Sequence, residues 1–137
     1  MVHLFDEGSV FDAPLEKVWK YLSSDNHQHP SFQNVKREVS GNVVTITSER
    51  TMMGKQVKVK IRNTIFPPVG YVSEHVEGPT AGSKAFAYYT PKGDKTGITV
   101  VGDFTIAGLD EKAVRDAVLA QMQAVFDEDN ANLKRMK

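Results

Sequence analysis

Apolar residues recur along this chain in two rhythms, and the switch between them marks out its elements. Val2 to Asp12 reads as a strand. Leu15, Val18, Trp19 and Leu22 then fall at helical spacing. Pro14 opens that helix, since proline suits a first turn where its missing N–H costs nothing. Glu16 adds a negative charge near the helix N-terminus, which the backbone dipole favours. Ser23 to Gln33, polar and holding two histidines and a proline, reads as a turn or one short helical turn.

From Val35 onward the rhythm is that of strands. Gly41-Asn42 forms a tight hairpin turn, because both residues tolerate positive φ. Centring there pairs Val39 with Val44, Arg37 with Ile46 and Val35 with Ser48. A second turn at Met53-Gly54 pairs Met52 with Lys55, Arg50 with Val57, Ser48 with Val59 and Ile46 with Ile61. The two turns, placed independently, put Val35, Val39, Val44, Ile46, Val59 and Ile61 on one face. A slip of one residue would flip that whole set, so the agreement predicts an antiparallel meander.

Pro67-Pro68-Val69-Gly70 ends the next strand. Tyr71 to Glu77 follows, with Val72, Glu74 and Val76 expected on the inner face and His75 on the outer. Gly93-Asp94 joins the last two strands, pairing Tyr89 with Ile98, Ala87 with Val100, Ala85 with Gly102 and Lys84 with Asp103. Ala85 and Gly102 are small enough to let a helix approach the sheet. Asp110 is an N-cap for a final helix reaching Met136. Its apolar face reads Val114, Val118, Met122, Val125 and Phe126. Ala113, Ala117, Ala120 and Ala124 form a small-residue stripe, expected on the inner face, where it would leave room for a cavity.

The 137 residues suit one domain, 1–137, large enough for a real core. Seventeen basic and seventeen acidic residues balance to zero net charge, which argues against a nucleic-acid partner. The cluster Lys55, Lys58, Lys60 and Arg62 reads as a solvated outer face. With no cysteine, disulfides, thiolate nucleophiles and cysteine–zinc sites are excluded. The N-terminus has no signal-peptide pattern and no apolar run approaches ~20 residues, so a cytoplasmic protein without integral membrane association is expected.

The stretch FDAPLEKVWKYLSSDNHQHPSFQNV, from Phe11 to Val35, resembles the opening of the START and polyketide-cyclase-like (SRPBCC) superfamily. The likeness is carried by Ala13-Pro14, Val18-Trp19 and the run from His29-Pro30 to Val35, and the later order of strands and helix extends it over nearly the whole chain. It implies an α+β helix-grip: a seven-stranded, curved antiparallel sheet wrapped around a long C-terminal helix, with short helices between strands 1 and 2. Members bind lipids, sterols, polyketides or similar apolar molecules. Some are aromatase-cyclases, some ring-hydroxylase subunits and some co-chaperones. Plant members carry a glycine-rich loop where this chain has only Gly41-Asn42, so a phosphate-cradling loop is not expected. No catalytic motif carries over.

Polar residues expected on the inner face are Arg37, Ser48, Arg50, Asn63, Glu74 and Tyr89, with Arg50 and Glu74 as the natural ion pair. The expected pocket has walls of Val57, Val59, Ile61, Val72, Phe104, Ala117, Ala120 and Ala124, while Arg50, Asn63, Glu74 and Tyr89 orient the polar end of a ligand. Binding or transport of an apolar or amphipathic small molecule is the leading reading, with no cofactor. One alternative is a cyclase, dehydratase or hydrolase using Glu74 or Tyr89. Another is an interaction module or homodimer working through an outer patch of Phe86, Tyr88 and Val101. His27 and His29, with Asp25, have a spacing that permits a metal but is weak evidence for one. They read as surface histidines, and no metal site is expected.

Overall fold

The computed structural model describes residues 1–24, 27, 29–30, 32–52 and 54–136. Seven strands and two helices run in the order β1 (Val2–Phe11), α1 (Leu15–Leu22), β2 (Gln33–Ser40), β3 (Val43–Met52), β4 (Lys55–Phe66), β5 (Gly70–Glu77), β6 (Lys84–Lys92), β7 (Lys95–Phe104) and α2 (Glu111–Arg135). One antiparallel sheet contains all seven strands, in the order β1-β7-β6-β5-β4-β3-β2. Five of the six contacts join neighbours in sequence, as hairpins require. The sixth brings β1 beside β7, antiparallel as well.

The hairpin pairings expected from the turns are observed at Val39–Val44, Arg37–Ile46, Ser48–Val59, Arg50–Val57, Tyr89–Ile98 and Ala85–Gly102. Met53, half of the second expected turn, lies outside the described residues. Val35 departs from expectation. The register of β2 shifts between Gln33 and Lys36, where Asn34 adopts φ 52, and Val35 is exposed.

Strand β5 requires a correction. Ile61 pairs with His75, Asn63 with Ser73 and Ile65 with Tyr71, so His75, Ser73 and Tyr71 occupy the inner face. Val72 and Glu74 pair with Thr64 and Arg62 and lie on the outer face. Val72 instead stands beside Phe86 on the outer face, and Val76 falls at the register shift between the Lys60–Glu77 and Ile61–His75 pairs. Glu74 there lies in register between Arg62 and Lys84.

Asp110 caps α2, its carboxylate accepting from the Ala113 N–H at 2.8 Å. Helix α2 lies against β1 and β7. Val114 and Leu133 are buried on it, and Val118, Met122, Val125 and Phe126 are half-buried. The expected alanine stripe is corrected: Ala117, Ala120 and Ala124 are exposed. At 100° per residue they stand well around the helix from the packed face, which the larger side chains take because they remove more apolar surface from water.

Two apolar clusters anchor the layers. One joins Val2, Leu4, Ala85, Phe104, Ile106 and Val114 beneath the start of α2. The other joins Phe11, Ala13, Val18, Tyr21, Tyr89 and Leu133 between α1, the sheet and the end of α2. Trp19 packs edge-on against Tyr89 at 5.4 Å and donates its indole N–H to the Pro68 carbonyl at 2.8 Å. No described helix is long and apolar enough to cross a membrane.

Candidate ligand-binding site

Because α2 covers the β1–β7 side, the inner faces of β3, β4 and β5 form the remaining concave surface. The register places Arg50, Val57, Val59, Ile61 and Asn63 on it together, joined by Ser48 and His75. Tyr89 follows on the same face of β6, beside Tyr71 of β5. Val59 and Ser48 are buried, and Ile61, Asn63 and Arg50 are half-buried. Phe104 is also inward but belongs to the packed cluster beneath α2.

Arg50 is the electrostatic centre of this surface. Its expected partner Glu74 points to the other side of the sheet. Its guanidinium instead lies 4.1 Å over the ring of Phe32. Its Nε is buried without a hydrogen-bond partner among the described residues, and so is Asn63 Oδ1. Burial alone pulls the Arg50 pKa below its ordinary value.

His75 occupies the same face, with Nδ1 2.6 Å from Thr80 Oγ1. Burial, and then the nearby positive charge of Arg50, lower its pKa to about 4, so the ring is neutral at pH 7. Tyr71 and Tyr89 are hydrogen-bonded to each other, and burial raises both phenols above their usual range. Tyr89 is therefore a hydrogen-bond donor at neutral pH. It is not an available base.

Sequence reasoning missed His75, Ser73 and Tyr71 through the wrong parity of β5. It also missed Phe32, which the polar segment after α1 hid. Asp25 lies outside the described residues. Two shallow hollows lie elsewhere on the molecule. One, of about 240 Å³, is lined by Pro14, Glu16, Lys17, Lys20 and Met136. The other, of about 340 Å³, is on the outer face around Phe5, Phe86 and Val101.

No family model matches the chain, and no curated protein sequence matches it. Solved structures do. The di-domain ARO/CYC StfQ from the steffimycin biosynthetic pathway superposes with a TM-score of 0.80 at 14% identity, over 97% of this chain and 51% of that one. TTHA0849 from Thermus thermophilus gives 0.78 at 13% identity, over 97% of both chains. Ara h 8.0201 gives 0.77 at 15% identity, over 98% of both. At these identities the likeness shows the fold alone. The shared fold is the helix-grip expected from the segment around Ala13-Pro14 and Val18-Trp19: a seven-stranded antiparallel sheet with a long C-terminal helix.

Proposed function

We propose that this protein binds an apolar or amphipathic small molecule on the concave face, with Arg50 and Asn63 holding its polar end. The observation that carries this is the pair of unpartnered atoms, Arg50 Nε and Asn63 Oδ1. A buried cation and a buried carbonyl without partners are costly, and a ligand offering an acceptor to one and a donor to the other relieves both. Val57, Val59 and Ile61 supply apolar wall, and Tyr89 a phenolic donor. The removal of apolar surface from water drives binding, at ~25 cal/mol per Å² before ordering costs. Arg50 has no carboxylate partner among the described residues, so the reading favours a ligand with an anionic end. The fold of StfQ and Ara h 8.0201, shared over nearly the whole chain, supports a binding role, and the protein would act in the cytoplasm as a carrier or sequestering protein.

The test compares dodecanoate with dodecanol, each displacing a fluorescent apolar probe. Wild type should prefer the carboxylate. Arg50→Gln should lose that preference while still binding the alcohol. Equal affinity for both ligands in wild type, or an unchanged preference in the variant, overturns the reading.

A further inference from the structure

Two imidazoles and a carboxylate converge where the segment after α1 meets the second half of α2. His27 Nε2 and His29 Nε2 are 3.2 Å apart. Asp129 Oδ1 is 3.3 Å from His29 Nε2 and 3.5 Å from His27 Nε2. The three atoms form a nearly equilateral triangle. Four ligand bonds of about 2.0–2.1 Å in tetrahedral array set neighbouring ligand atoms roughly 3.3 Å apart. The observed triangle has the size of one face of that tetrahedron.

The opposite side of each group shows how its hydrogens are placed. His29 Nδ1 lies 2.5 Å from Glu128 Oε2. A carboxylate accepts, so Nδ1 carries a hydrogen, and in the neutral form of the ring the lone pair is then on Nε2. His27 Nδ1 lies 3.3 Å from the Leu22 carbonyl, which also only accepts, so the same assignment follows for His27. Asp129 Oδ1 accepts the Tyr21 phenol at 2.6 Å, and Tyr21 in turn accepts from Asn132 Nδ2 at 3.1 Å.

In the neutral tautomers with the hydrogen on Nδ1, the three atoms turn their lone pairs toward one point. The side chains of His29 and Asp129 are only 9% and 10% exposed, and that of His27 is 27% exposed, so the point they face is largely shielded from bulk water. A cation at that point would be bound by all three atoms at once. The outer contacts are also those of metal-bound histidines, whose second N–H is given to a carboxylate or carbonyl.

We propose that His27, His29 and Asp129 form a binding site for a divalent first-row transition metal, with zinc the ion that fits best and the fourth position open to water. Two nitrogen ligands disfavour calcium and magnesium, which take oxygen. The carboxylates of Glu128 and Asp129 balance a dication while both imidazoles stay neutral. Glu128 and Tyr21 are positioning residues, acting on the metal through His29 and Asp129. The site does not rest on the ligand reading. Phe32 stands between the two, its ring 5.3 Å from that of His29, with Arg50 4.1 Å away over the ring.

The experiment uses the whole chain, stripped with chelator and titrated with Zn²⁺ by calorimetry and with Co²⁺ by visible absorption. Wild type should bind one equivalent of zinc, and its cobalt form should show the intense bands of a four-coordinate ion. Glu128→Gln should weaken zinc binding by about 10- to 100-fold, the usual loss of an outer-shell partner. His27→Ala should weaken it further and abolish the cobalt bands. His3→Ala should change neither, because the exposed pair of His3 and Asp103 lies on another part of the molecule. Sub-stoichiometric zinc with a pale, six-coordinate cobalt spectrum overturns the proposal, as does a His27→Ala variant that binds like wild type. Circular dichroism checks the fold of each variant. If His27→Ala fails to fold, the wild-type stoichiometry and cobalt spectrum decide alone.

Discussion

Arg50 and His75 share the inner face of the sheet, and the guanidinium's charge adds to burial in keeping the imidazole neutral. The folded pKa of about 4 lies below the ordinary 6.5. Between those values the unfolded chain binds a proton that the folded chain refuses. The contribution of His75 to stability is therefore complete above pH 6.5 and is lost as the pH falls toward 4. His75→Gln removes this dependence. Urea unfolding at pH 7 and pH 4.5 should show wild type losing about 2 kcal/mol more than the variant, after discounting for partial exposure. Equal losses would mean that the ring is solvated.

Stability and ligand binding should pull in opposite directions at Arg50. Replacing the guanidinium with a leucine side chain removes a half-buried charge that has no carboxylate partner among the described residues. The cation–π contact with Phe32 offsets part of that cost. Arg50→Leu should raise stability by about 1 kcal/mol in urea unfolding at pH 7 while weakening dodecanoate binding at least tenfold. A destabilised variant would show that Arg50 is instead an anchor for Phe32.

The part of the fold set by tight turns was legible in the sequence. Gly41-Asn42 and Gly93-Asp94 fix register over whole hairpins, and pairs as distant from the turn as Lys84–Asp103 follow from counting alone. Strand β5 was not legible, because both its faces are half-buried and a register shift near Lys60 breaks the count. Apolar alternation then chose the face of Val72 over that of His75. On α2 the alanine and valine stripes both recur at helical spacing, and only packing against β1 and β7 decides between them. The cluster of His27, His29 and Asp129 is the least visible of all. Its carboxylate comes from about 100 residues further along the chain, a distance that no local spacing encodes.

Tyr21 ties α1 to α2. Its phenol is fully buried and donates to Asp129 at 2.6 Å. Tyr21→Phe keeps the ring and removes the donor, leaving a buried carboxylate oxygen short of a partner. The expected loss is about 1–3 kcal/mol in urea unfolding of the metal-free protein. Tyr88→Phe is the matched control, because Tyr88 is exposed on the outer face, and it should cost under about 0.5 kcal/mol. Similar losses in the two variants would show that the Tyr21–Asp129 bond adds nothing.

Gly102 and Gly97 both lie in β7, yet a methyl group should act differently at each. At Gly102, an added Cβ would lie 2.7 Å from the Lys84 carbonyl oxygen and 2.8 Å from Ala85 Cβ. Both obstacles belong to the neighbouring strand, in the row that also holds Leu4. Relief requires moving backbone beneath α2, where Ala85 packs with Val2, Leu4 and Phe104. At Gly97, the nearest atom is the flexible end of Lys92, at 3.0 Å, which can swing into solvent. Gly102→Ala should therefore cost about 1–3 kcal/mol. Gly97→Ala should be neutral or stabilising by up to about 1 kcal/mol, because alanine loses less conformational freedom than glycine in a strand. Midpoints of urea unfolding for the two variants, measured side by side, check the difference. Equal shifts would mean that β6 and β7 are free to move apart, and that the small pair Ala85 and Gly102 does not set how closely the sheet packs at the start of α2.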